Sequence, residues 1–89
     1  MVNKELLKIL RQGATIWNRW REENPTITVN FSKTSLIGTN LKEVDLKGAN
    51  LSGATLWKAD LSRAYLRGAI LHKAQMSGAN LSEALLQSI

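Results

Sequence analysis

From Val29 onward a large apolar residue returns at every fifth position: Phe31, Leu36, Leu41, Leu46, Leu51, Leu56, Leu61, Leu66, Leu71, Met76, Leu81 and Leu86. Two residues before each stands a second register, Val29, Thr34, Thr39 and Val44, then alanine at every step from Ala49 to Ala84. The position just before the large residue is mostly small and polar, as in Asn30, Asn40, Asp45, Asn50, Asp60 and Asn80. The two positions after it mostly hold Ser, Lys, Arg, Glu or Gly. A period of five suits neither regular element. A helix buries residues three and four apart, and steps of five would smear the leucines around its circumference. A strand would send successive leucines to opposite faces. A chain that turns a corner every five residues accounts for the period, because each short side then points one Leu and one Ala inward. The product is a coil with an apolar bore and a polar outside.

Runs such as Ala49-Asn50-Leu51-Ser52-Gly53 and Ala79-Asn80-Leu81-Ser82-Glu83 resemble the pentapeptide-repeat proteins. The resemblance covers residues 29–88, about two-thirds of the chain, in twelve repeats of one register. It implies an all-β solenoid, a right-handed quadrilateral β-helix with four repeats per coil and so about three coils. At about 4.8 Å between coils the stack is about 14 Å tall. Residues 20 apart then share a column. The inward columns Phe31–Leu51–Leu71, Leu36–Leu56–Met76, Leu41–Leu61–Leu81 and Leu46–Leu66–Leu86 are all apolar. Outside, Glu43–Arg63–Glu83 alternates in sign, which supports register on a solvated face. Asp45–Tyr65–Leu85 and Ile37–Trp57–Ser77 are neighbouring outward columns.

Residues 1–28 obey another rule and read as a helical cap with an entry segment ahead of the repeat unit, residues 29–89. Leu6, Leu7, Leu10, Ala14, Trp17 and Trp20 fall largely on one helical face, with Lys4, Lys8, Arg11, Arg19 and Arg21 opposite. Gly13 divides two helices, the second running from Ala14 to about Glu22, and Asn24-Pro25 stops it. Leu6, Leu10, Trp17 and Trp20 are expected to cover the open first coil, since a solenoid needs its terminal apolar face and unpaired edge covered. The Trp17-Asn18-Arg19-Trp20-Arg21 leader also resembles those of bacterial, notably cyanobacterial, members.

No comparable cap follows the last repeats. Met76, Leu81, Leu86 and Ile89 are therefore expected to form an association face, and the expected occupant is a second copy around a two-fold axis. On the outer faces Trp57, Tyr65, Ile70 and Leu85 stand where the pattern calls for small polar residues, and form a candidate interaction surface.

Several motifs imitate chemistry. Asn30-Phe31-Ser32, Asn50-Leu51-Ser52 and Asn80-Leu81-Ser82 match the glycosylation pattern, but all share one repeat phase. His72, the single histidine, is outward and solvated; the outward serines have no His/Asp pair in a matching column. Glu43, Asp45 and Asp60 are isolated among Lys and Arg. Gly38, Gly48, Gly53, Gly68 and Gly78 mark corners, not a phosphate loop. The chain contains no cysteine, so disulfides, thiolate metal sites and Cys nucleophiles are excluded. The reading is non-enzymatic, with no catalytic, metal or cofactor site.

Charge weighs the remaining roles. The 89 residues carry a net +5, a property that suggests an anionic partner. The charges are spread through both segments, so electrostatic binding of nucleic acid or an anionic membrane surface stands as the alternative. Protection of a topoisomerase by duplex mimicry, a role implied by some members of the family resembled, needs a long acidic surface. Residues 29–89 hold seven Lys and Arg against four Asp and Glu, the wrong sign. No apolar run is long enough for a transmembrane segment. The expectation is a cytoplasmic protein-protein interaction or scaffolding module that forms a homodimer through its C-terminal coil, with nucleic acid an unlikely partner.

Overall fold

The computed structural model describes residues 4–87. Helix α1 spans Lys4–Leu10 and helix α2 spans Ala14–Glu23. Gly13 separates them at φ 99°, a conformation that favours glycine. Its N–H donates to the Leu10 carbonyl while its own carbonyl accepts from Trp17 N–H and starts α2. Asn24 ends α2: its backbone N–H donates to the Trp20 and Arg21 carbonyls, and its side-chain amide also donates to Trp20.

From Val29 the chain winds in a four-sided stack with 20 residues to the coil. Parallel bridges join Asn30, Asn50 and Ile70 on the first side, and Ser35, Thr55 and Gln75 on the second. Asn40, Asp60 and Asn80 make the third, and Asp45, Tyr65 and Leu85 the fourth. Hydrogen bonds run in both directions between coils. Leu36 N–H donates to the Thr55 carbonyl at 2.7 Å, and Thr55 N–H donates back to Thr34 at 2.9 Å.

The resemblance implied strands, and the observed arrangement is sparser. Among the described residues the β structure consists of eight isolated parallel bridges, and the only longer elements are the two helices. The turn is the reason. A bond such as Ala54 N–H to Leu51 carbonyl, 3.0 Å, closes each corner. Too little extended chain remains between corners for a continuous ladder.

Each corner also places its second residue after the large apolar one at positive φ. Glycine takes this position at Gly38, Gly48, Gly53, Gly68 and Gly78, but Lys33, Glu43, Lys58, Arg63, Lys73 and Glu83 adopt it too, at φ 55–64°. Left-handed backbone costs a non-glycine residue about 1–2 kcal/mol. The side chains at these corners are all exposed.

The core is the bore. Phe31, Leu36, Leu41, Leu46, Leu51, Leu56, Leu61 and Leu66 are fully buried, with the alanines between them. Thr34 fits the small-residue register because its hydroxyl donates to the Ser32 carbonyl. Leu6, Leu10 and Trp17 belong to the same apolar cluster, so helices and first coil share one core.

Candidate functional site

The two ends of the stack are finished differently. At the first coil Trp17 is fully buried, its ring 5.2 Å from Trp20 and 5.7 Å from Phe31. Trp20 is half-buried, and Leu6 and Leu10 are buried. α2 also serves the exposed backbone edge of the fourth side. Trp17 Nε1 donates to the Asp45 carbonyl at 2.8 Å, and Asn18 both donates to Glu43 and accepts from Asp45 N–H. Arg21 donates to the Lys47 carbonyl at 2.6 Å and lies 4.0 Å from the Asp45 carboxylate. Sequence reasoning named the tryptophans; Asn18 and Arg21 as edge-capping side chains were missed, since nothing in a lone Asn or Arg marks them.

The third coil has no such cover among the described residues. Leu71, Met76 and Leu81 are only half-buried, and Leu86 is exposed. Their counterparts one coil earlier, Leu51, Leu56, Leu61 and Leu66, each donate a backbone N–H to the third coil. The N–H groups of Leu71, Met76 and Leu81 donate to no carbonyl of the described residues. Ile89 lies outside the described residues.

The four outward apolar residues fall on different parts of the coil: Tyr65 and Leu85 are bridged on the fourth side, Ile70 stands on the first, and Trp57 lies in the turn after Thr55 of the second. Ile37, not among those four, joins Trp57 in the column after the large apolar position; the two are 50% and 44% exposed. Beside Trp57 an open depression of about 360 Å³ is lined by Lys58, Ser77 and Gly78.

A hydrogen-bond pattern separates the sides further. At Asn30, Asn40, Asp45, Asn50, Asp60 and Asn80 the side-chain Oδ1 accepts the backbone N–H two residues on, at 2.9–3.1 Å. Such Asx turns explain the Asn-X-Ser motifs as turn chemistry. Tyr65, Ile70 and Leu85 replace that residue type and forgo the bond, exposing apolar surface instead. On the third side every such residue is committed inward; on the second, with Ser35, Thr55 and Gln75, none is.

Ser62 donates both its hydroxyl, at 2.6 Å, and its N–H to Asp60, holding that carboxyl below the ordinary value, with Lys42 adding to the effect. His72 is exposed. Among the described residues no group of three His, Cys, Asp or Glu could hold a metal, and no helix is long and apolar enough to cross a membrane. The geometry offers flat faces and, among the described residues, one end of the stack without a helical cover.

The sequence matches the family described as Pentapeptide repeats, in eight copies over residues 29–56 and 45–83. No curated protein matches. Among solved structures the chain is similar to the pentapeptide repeat protein Rfr23 of the cyanobacterium Cyanothece 51142, at 32% identity and TM-score 0.50. That likeness covers 63% of this chain and 42% of Rfr23. It is similar to a pentapeptide repeat protein of the Arabidopsis thaliana thylakoid lumen at 34% identity and TM-score 0.52, over the same shares. HetL of Nostoc sp. strain PCC 7120, a protein involved in heterocyst differentiation regulation, shares 39% identity at TM-score 0.43, over 66% of this chain and 30% of HetL. The chain thus spans less than half the length of these relatives.

Proposed function

The chain belongs to the pentapeptide-repeat family, and on that premise we propose that it works as a non-enzymatic protein-protein interaction or scaffolding module that self-associates through its C-terminal coil. The bare third coil carries the reading. Backbone donors at Leu71, Met76 and Leu81 surround an apolar mouth, a surface of the kind that pairs with another chain. A second copy related by a two-fold axis would meet it with the same groups, so that each mouth covers the other. The rim fits: Ile70 and Leu85, both about half exposed, adjoin that end.

A right-handed turn of the coil and a cytoplasmic setting belong to the same proposal. The family supports the first. Size-exclusion chromatography with light scattering tests the association. A dimer is expected, and Leu81→Lys is expected to return it to monomer while the helical signal persists. A strict monomer at high concentration would contradict the proposal.

A further inference from the structure

The second side differs from the others in what it leaves unpaired. The N–H groups of Ile37, Trp57 and Ser77 occupy the place that an Asx oxygen satisfies at Lys42, Ser62 and Ser82 on the third side. Ser35, Thr55 and Gln75 supply no such oxygen, and none of the three N–H groups donates to any atom of the described residues. The result is a column of peptide donors about 4.8 Å apart. Alongside run two hydroxyls and a carboxamide, whose side chains make no hydrogen bond within the described residues.

Charge points the same way. All four carboxylates of residues 29–89, at Glu43, Asp45, Asp60 and Glu83, lie on the third and fourth sides or the corner between them. The second side carries none. The corner column that follows it holds one charge, Lys58, between Gly38 and Gly78, and Lys58 forms no ion pair among the described residues. Gly78 lies under Lys58, where a Cβ would meet Lys58 Cγ at an ordinary contact distance of 3.4 Å. The glycine lines the depression beside Trp57.

We propose that the second side is a docking surface for an acidic protein segment, whose Asp or Glu side chains accept from the Ile37, Trp57 and Ser77 amides and from Lys58 while an apolar residue fills the depression beside Trp57. The chain itself displays the fitting acceptor, since Asp60 does for Ser62 what the partner's carboxylate does for Trp57. Hydroxyl and amide groups facing outward suit a polypeptide better than a lipid surface. A single exposed aromatic on this side offers no succession of stacking platforms for bases. The proposal rests on the interaction-module reading but is independent of the C-terminal contact.

A short peptide alternating Asp and Leu, titrated at low salt into the full chain and followed by amide nuclear magnetic resonance, tests it. The Ile37, Trp57 and Ser77 amides are expected to shift downfield, while Lys42, Ser62 and Ser82 stay in place. The same peptide with Lys for Asp is expected to shift none. Thr55→Asp gives Trp57 an internal acceptor, and Lys58→Glu reverses the corner charge; each is expected to weaken binding by roughly tenfold, the worth of one charged hydrogen bond. No shift, equal shifts on the third side, or unchanged affinity in both folded variants would overturn the proposal. So would anionic phosphatidylglycerol vesicles or oligothymidylate moving the same amides at lower concentration, which would reassign the surface to membrane or nucleic acid. Loss of the dimer alone, with these shifts intact, would leave this side's role standing.

Discussion

At Asn50 a side-chain oxygen takes the Ser52 N–H at 3.0 Å, and at Ile70, directly beneath it, no such bond exists. The difference has a measurable size. Asn50→Ala is expected to cost about 1 kcal/mol in chemical denaturation, a typical net value for one hydrogen bond. Ile70→Asn, which restores the missing acceptor and removes exposed apolar surface, is expected to stabilise the monomer by a similar amount. Asp60 adds a dependence on pH. Its carboxyl is held below the ordinary 3.8 by the Ser62 hydroxyl, the Ser62 N–H and the Lys42 charge. A carboxyl depressed by folding stabilises above its unfolded value, and that contribution is lost as pH falls from about 3.8 through the folded value. Asp60→Asn is expected to flatten this acid limb in urea titrations at graded pH. At the corners, Gly68 holds φ 72° and a Cβ there would touch only Gly48 backbone at an ordinary 3.9 Å. Gly68→Ala is therefore expected to cost about 1–2 kcal/mol through backbone conformation alone.

The helical cap joins two kinds of work, packing over the bore and hydrogen bonding to its edge, and substitutions can separate them. Trp17→Phe keeps most of the stacking on Trp20 and Phe31 but removes the donor to Asp45, and is expected to cost about 1 kcal/mol in thermal or denaturant unfolding. Trp17→Ala also opens a cavity and is expected to cost about 3–5 kcal/mol. Much of this element was legible beforehand, because Leu6, Leu10, Trp17 and Trp20 repeat at helical spacing and Gly13 interrupts them. The repeat coil was legible for a related reason: no helix or strand tolerates an apolar period of five. Positive φ at Lys33 or Glu43 was not legible, since neither residue type announces it and only the corner geometry imposes it. The reduction of the β structure to single bridges was hidden similarly, because residue pattern does not measure how much extended chain survives between corners. Among the surface residues, grouping Trp57 with Tyr65, Ile70 and Leu85 ranked side chains by type. The bridges place Tyr65 and Leu85 on the fourth side and Ile70 on the first, while Trp57 sits in the turn after the second, and the role proposed for that side lies in the absence of Asn and Asp at Ser35, Thr55 and Gln75.

Over the whole molecule, the two ends and the four sides divide the work. One end is closed by helices that belong to the same core, and among the described residues nothing covers the bore at the other. Carboxylates collect on two adjoining sides and leave the second side rich in donors. The central claim is that the third coil is an association face. Amide hydrogen exchange at graded protein concentration tests it most directly. Leu36, Leu41 and Leu46, whose N–H groups donate to the second coil, are expected to be protected at every concentration. Leu71, Met76 and Leu81 are expected to exchange quickly when dilute and to gain protection together as concentration rises and the copies pair. Fast exchange of these three amides at all concentrations would contradict the account.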